Sequence, residues 1–382
     1  MRLPILNTLP KRIELHSLFL QPTYWCAKKC EGCYVKEREP VSREDHANPR
    51  LTTSPKEQFE LIKLFCEGEA AWANEITIAM DDIPSTKTPN SRFKREHMTD
   101  LYDLLFQMIH DFKLENKALP KMHMTFHSVK TYLSYIKDAR FCKDNYMFKE
   151  SILDVFMNRH LKSVLARPAY LLDMINFSQL TNTNSTKELL KEIRKLTPVN
   201  YNYLIPRNVN NLNIKKHVKH LIEIAPMVDH IYLVIHKTPV GKKLNSDEIE
   251  NTRKNMANDL FYIEKMKESL PAHIWNKIDI DGCLQDVKKF KNTGYGCSGN
   301  ISKMQIWPDG KVTGCSYKND DPEYQSSGAT TSEHLVWHIK NAKTKYDFED
   351  APCHLPDAYD NSEEHIKHLK FNRFHSLTQE IL

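Results

Sequence analysis

The sequence predicts an α/β fold built from parallel strands, on three observations. Short β-branched or apolar runs alternate with segments of helical periodicity along most of the 382 residues. Six or seven strand–helix units of this kind can be counted. Several helices open on recognisable N-terminal signals, among them Ser54-Pro55-Lys56-Glu57 and Ser185-Thr186-Lys187-Glu188. Strands separated by helices at this spacing pair in parallel through right-handed crossovers.

Each unit has its own physical basis. Ile13 to Gln21 is an apolar-rich run and predicts the first strand. Ser54 as N-cap, Pro55 at the first helical position and Glu57 in the capping box open a helix whose buried side is Leu61, Ile62, Phe65 and Cys66. Cys66 is therefore a core thiol. Glu75 to Met80 is a second strand ending in the acidic loop Asp81-Asp82-Ile83-Pro84. Met98, Leu101, Leu105 and Met108 carry a helix over 96–112, and Met122 to Ser128 forms a third strand. A helix over 151–165 and a strand over 171–178 follow.

The second capping box opens a helix buried through Leu189, Leu190, Ile193 and Leu196, which Pro198 stops. Val199 to Ile205 alternates as a fifth strand. Asn213 caps a helix buried through Val218, Leu221 and Ile222, and Ile231 to Ile235 is the sixth strand. Asn245-Ser246-Asp247-Glu248 starts a long helix toward Leu270, and Ile278 to Asp281 is the seventh strand.

With 40% hydrophobic residues the chain can bury a sizeable core as one large domain with an appendage or as two domains. Its 54 basic and 49 acidic residues leave a net charge of only +5, and no basic tract with interleaved aromatics points to nucleic acid. Neither a secretory signal nor an apolar run of membrane-spanning length is expected, so the predicted location is cytoplasmic. In that reducing compartment nine cysteines suggest metal ligands and buried thiols rather than disulfides.

Three of those cysteines are packed into Trp25-Cys26-Ala27-Lys28-Lys29-Cys30-Glu31-Gly32-Cys33-Tyr34, spaced C-x3-C-x2-C. Soft thiolates select an iron–sulfur cluster, zinc or Cu(I), and this loop leaves one position of a four-site unit unclaimed. The motif resembles that of the radical S-adenosylmethionine (SAM) enzymes. That resemblance implies a partial (β/α)6-type TIM barrel over residues 10–285, with chemistry on loops at the C-terminal strand ends. It also implies that Cys26, Cys30 and Cys33 hold three irons of a [4Fe-4S] cluster whose fourth iron binds SAM. Reduction then cleaves SAM to methionine and a 5′-deoxyadenosyl radical that takes a hydrogen atom from substrate. A reductase, flavodoxin or ferredoxin is the implied electron donor.

Further site residues come from the same resemblance. Tyr34 would lie beside adenine, or serve as an amphipathic wall residue. Where the family carries Gly-Gly-Glu for the SAM amine, this chain has Met80, Asp81 and Asp82, which read alternatively as an acidic surface turn. Ser178 or Asn176 and Asn202 would reach the ribose or carboxylate of SAM. His127 and Ser128 would face the same mouth.

A second cysteine set follows. Cys297 and Cys315 flank Met304 to Val312, which contains the turn Pro308-Asp309-Gly310 and predicts a β-hairpin. This pattern resembles the opening of the SPASM and twitch auxiliary-cluster domains. A twitch-like extension over 286–382 would hold a second [4Fe-4S] cluster through Cys297, Cys315 and Cys353, with Cys283, substrate or another residue at the fourth iron. A zinc site from Cys297, Cys315, Cys353 and His354 is the competing reading. Cys142 fits neither set. The expected activity is hydrogen-atom abstraction from a peptide or protein side chain. Dehydrogenation or rearrangement of a small molecule or nucleotide is the enzymatic alternative, and a non-catalytic zinc or iron–sulfur protein the alternative from another class. No catalytic side chain is assigned.

Overall fold

The computed structural model describes residues 13–22, 55–67, 71–80, 95–139, 142, 165–206, 211–235, 246–281, 303–307 and 312–313. Among the described residues nine strands form one sheet: β1 (Ile13–Leu20), β2 (Ala71–Met80), β3 (Lys121–Ser128), β4 (Met174–Gln179), β5 (Val199–Leu204), β6 (His230–Val234), β7 (Ile278–Ile280), β8 (Lys303–Ile306) and β9 (Val312–Thr313). Their order is β7-β6-β5-β4-β3-β2-β1-β8-β9. Neighbouring pairs from β7 to β8 are parallel, and only β8 with β9 is antiparallel.

From β1 to β7 every crossover advances one strand in the same direction. Right-handed connections then place the described helices on one face, and the sheet curls around the other. A doubly wound sheet would instead reverse its order partway. The first and last strands of this series do not meet, so the fold is a partial TIM-barrel α/β architecture with open edges.

The described helices include α1 (Pro55–Glu67), α2 (Arg95–Leu114), α3 (Val129–Asp138), α4 (Asn184–Ile193), α5 (Asn211–Ile224), α6 (Ser246–Ser269) and the short α7 (Ala272–Trp275). Register identifies the face they cover, because residues paired across a parallel ladder point the same way. One such row runs Leu20, Ile78, Met124, Ile175, Val199. Another runs Phe126, Phe177, Tyr201, Ile231, Ile278. On α3, Tyr132 meets Phe126 and Phe177 edge-on, with ring centroids 5.2 and 6.3 Å apart. Its hydroxyl donates to the Leu165 carbonyl at 3.0 Å. Cys66 and Cys142 are buried, and burial pushes the Cys66 thiol up to about 12, as expected of a core thiol.

Several boundaries differ from the sequence reading. β2 starts at Ala71, since Ala71 to Ala73 pair with β1; alanines of low strand propensity carry no visible signal. A 3₁₀ turn occupies Arg167–Leu171, so β4 starts only at Met174. Helix α3 follows β3 directly and was not expected, because its β-branched and aromatic residues obscure the helical pattern. Of the helix expected over 151–165, only residue 165 is described. The side chain of Thr183, two residues before the expected Ser185, caps α4. Leu196 lies past the end of α4 and is exposed. Asn213 falls inside α5 rather than capping it. Ile222 is likewise exposed, one residue round the helix from buried Leu221.

One polar lock fixes the N-terminal end of β5. Arg194 donates through Nε and Nη2 to the Asp229 carboxylate at 3.0 and 2.6 Å, and through Nη1 to the Pro226 carbonyl at 2.8 Å. Asp229 in turn accepts the Val199 N–H at 2.9 Å. Burial raises the Asp229 pKa, but hydrogen bonds from Arg194 and Val199 and the charges of Arg194 and Lys277 outweigh it, leaving the group below its ordinary 3.8. A depressed carboxylate stabilises the fold above that ordinary value and loses the contribution as pH falls through its folded one. Asp229→Asn is expected to cost about 1–2 kcal/mol at neutral pH, allowing for partial exposure, and to flatten the acid limb of stability in urea melts against pH.

Hairpin β8–β9 gives β1 its second neighbour. A chain ended at residue 285 would leave the Leu18 and Leu20 strand as an unpaired apolar edge. Light scattering should show it aggregating, and a monodisperse product would mean that the barrel does not need the hairpin.

Candidate functional site

The face opposite the helices is mainly polar. Its rows alternate with the apolar ones: Gln305, Phe19, Thr77, His123 and Met174 in one, and Ala79, Thr125, Asn176, Asn200 and His230 in the next. Asn202 pairs with Tyr232 in the row nearer the C-terminal strand ends, where ligands bind in parallel α/β sheets.

Thr125, Asn176, Asn200 and Asn202 are joined by side-chain hydrogen bonds. Asn176 Nδ2 donates to Thr125 Oγ1 at 3.3 Å. Asn200 Nδ2 donates to Asn176 Oδ1 and to Asn202 Oδ1, each at 2.9 Å. Asn176 and Asn200 are buried, Asn202 is half-buried, and Ser178 beyond Asn176 is exposed. The Asn200 Oδ1 and Gln305 Nε2 atoms are buried without a hydrogen-bond partner in the protein. Such atoms are costly unless a bound group or water completes them. The concave face therefore has an unused acceptor at Asn200 on β5 and, in a different row, an unused donor at Gln305 on β8.

His123 and His127 are buried on the same face of β3. Burial lowers the His123 pKa against the opposing charges of Glu75 and Asp173, so its imidazole is neutral at physiological pH. Ser128 does not present a free hydroxyl there, because its Oγ accepts the Thr131 N–H at 3.3 Å and caps α3.

The structure thus brings Asn176, Ser178 and Asn202 to one face. Met80 ends β2 with its backbone paired to Phe126. Tyr34, Asp81, Asp82, Cys26, Cys30, Cys33, Cys283, Cys297, Cys315 and Cys353 lie outside the described residues, as does His354. Among the described residues no group of three or more His, Cys, Asp or Glu is arranged to hold a metal ion. No described helix is long and apolar enough to cross a membrane.

Thr125, Asn200 and Gln305 were missed. A signal was present in Val199-Asn200-Tyr201-Asn202-Tyr203, whose period of two puts both asparagines on one face. Asn200→Leu would strip Asn176 and Asn202 of their donor inside a buried polar row. We expect a loss of about 1–3 kcal/mol in chemical denaturation.

No family model matches this chain, and no curated protein matches it. Among solved structures, it is similar to a mutant tryptophan synthase alpha-subunit from Pyrococcus furiosus at 9% identity, covering 87% of this chain and 98% of that one with a TM-score of 0.35. The tryptophan synthase complex from the same organism aligns at 12% identity over 74% of this chain and 93% of that one, with a TM-score of 0.26. The Bacillus megaterium spore cortex-lytic enzyme SleL aligns at 8% identity over 71% and 51%, with a TM-score of 0.24. Likenesses this distant bear on neither chemistry nor family, and the partial-barrel assignment stands on strand order and register.

Proposed function

We propose that the protein is a radical SAM enzyme that abstracts a hydrogen atom from a peptide or protein side chain. The observation that carries this reading is the C-x3-C-x2-C set at Cys26, Cys30 and Cys33 in a chain whose β1 ends at Leu20, six residues earlier, inside a partial parallel barrel. Thiolates that close behind a strand's C-terminal end would be expected at the end where such barrels perform chemistry.

The polar row fits an adenosyl ligand. Ribose hydroxyls both donate and accept, and the concave face offers Asn202 and Ser178 near the strand ends together with the uncompleted Asn200 oxygen. Cys26, Cys30 and Cys33 would hold the SAM-binding cluster; Cys297, Cys315, Cys353 and Cys283 would hold an auxiliary one in a twitch-like extension. The chemistry that such a cluster would supply when bound is one-electron reduction of SAM. This chain's own part is to orient the nucleoside through its amides and to position the substrate's C–H bond. A small-molecule substrate remains an outcome of the substrate test below.

Anaerobic reconstitution tests the reading. Two clusters require about eight irons per chain. Stoichiometric zinc, with no SAM-dependent change in the EPR signal of the reduced protein, would overturn the enzyme in favour of a zinc-binding one. Cys30→Ala is expected to abolish 5′-deoxyadenosine formation, whereas Cys315→Ala spares SAM cleavage and blocks product. Asn202→Ala should raise the KM for SAM while leaving iron content unchanged. Deuterium transfer into 5′-deoxyadenosine from labelled peptides or small molecules then identifies the substrate class.

A further inference from the structure

Behind the polar row, on the helix side of the same strand, β5 builds a second cluster that the proposed chemistry does not use. Tyr201 and Tyr203 alternate with Asn200 and Asn202 and point toward α5 and α6. Each phenol meets one imidazole of α5: Tyr201 Oη lies 3.0 Å from His220 Nε2, and Tyr203 Oη lies 2.5 Å from His217 Nδ1. His217 and His220 are three residues apart, so α5 presents both to one strand. The Tyr201 and Tyr203 rings are 5.6 Å apart between centroids, and the Tyr262 ring of α6 stacks on Tyr203 at 6.3 Å and 25°.

The three phenols are buried, while both imidazoles reach the half-buried zone toward the α5 surface. Burial pushes the Tyr203 phenol up to about 12, and raises Tyr201 and Tyr262 further. Burial also lowers both histidines, helped at His217 by Lys216 and His220 and opposed at His220 by Glu223. At neutral pH the phenols keep their protons and the imidazoles are uncharged; in the tautomer whose facing nitrogen is bare, His220 accepts the hydrogen bond of Tyr201 and His217 that of Tyr203. Removing one electron from a phenol makes it a strong acid. A buried phenol can therefore be oxidised readily only where a neutral base already accepts its hydrogen bond, and here two phenols have one each.

We propose that Tyr203 with His217 is a redox-active tyrosine pair, which Tyr201, His220 and Tyr262 extend into a relay carrying an oxidising equivalent from β5 to the α5 surface. In the step, Tyr203 gives one electron to a carbon-centred radical, and its phenolic proton moves to His217 Nδ1. The radical takes up that electron and one solvent proton and ends as a C–H bond. A one-electron reductant at the surface, a thiolate or ascorbate, then restores the phenol as His217 returns the proton. The radical is the oxidant class of the proposed function, so the relay's use as an outlet for stray radicals rests on that reading. The redox pair itself does not, and an external oxidant tests it separately.

The test is flash photolysis of the full chain with tris(bipyridine)ruthenium(II) and persulfate, followed by freeze-trapped EPR. The expected result is a persistent tyrosyl signal whose high-field gx value is lowered by the hydrogen bond from protonated His217. Tyr203→Phe should lose most of that signal. His217→Gln, which can accept a hydrogen bond but not a proton, should lose it similarly, while Tyr170→Phe at an exposed site outside the cluster should keep it. Equal yields in wild type and Tyr203→Phe would overturn the proposal. So would a heterogeneous, unshifted gx in the wild type, a readout that holds even where a variant fails to fold. If the relay fails while 5′-deoxyadenosine still forms, the proposed function stands and only this inference is lost.

Discussion

One constraint governs the rest of the structure: the two-residue period of strands that all cross over on the same side. Because each pairing from β1 to β7 is parallel and each step goes to the next strand, every residue is committed to the helix face or to the concave face by its parity alone. The apolar rows of leucine, isoleucine, methionine and phenylalanine satisfy one commitment. Threonine, asparagine, histidine and glutamine satisfy the other. A register slip of one residue anywhere would bury the amides against the helices and expose the apolar row, so the core and the candidate site stabilise the same register.

β5 shows how closely the two faces are tied. Six residues carry the asparagines of the polar row and the tyrosines of the phenol–imidazole cluster, and the Arg194–Asp229 lock holds the strand's first N–H. A substitution on this strand therefore acts on both faces. Loss of the Asn200 amide leaves acceptors unsatisfied on one side, and loss of the Tyr203 ring removes a stacked partner of Tyr262 on the other. β5 is accordingly the part of the fold where stability and chemistry are hardest to vary independently.

Much of the fold was legible in the sequence because amphipathic helices and β-branched strands carry their period openly. Leu61, Ile62 and Phe65 marked α1, and Val199 to Ile205 marked β5. Elements that escaped had tertiary rather than local causes. Ala71 and Ala73 are strand residues because β1 lies beside them, and α3 is a helix because Ser128 caps a segment otherwise rich in strand formers. Site residues divided in the same way. Asn176, Ser178 and Asn202 were reachable through the resemblance that the cysteines carry, and they do share one face. Asn200 and Thr125 become meaningful only when β4 sets the Asn176 amide between them, and Gln305 only when β8 pairs with β1, since no local pattern reports a neighbour on another strand.

The place of β1 in the sheet has a mechanical consequence. Between β2 and β8 this strand is clamped on both sides, and its exit is held as well: the Gln21 N–H donates to the Ile306 carbonyl at 2.9 Å, and Gln58 Nε2 donates to the Pro22 carbonyl at 2.9 Å. An edge strand can slide or fray by breaking one ladder. This one moves only if two ladders and a helix let go together. The chain that leaves Pro22 toward Cys26 thus starts from a fixed anchor, and the amides of β4 and β5 are referenced to that anchor through continuous backbone hydrogen bonds. Distances across the concave face are set by the strand spacing of the sheet, in the way a ruled plate sets the separation of whatever is bolted to it.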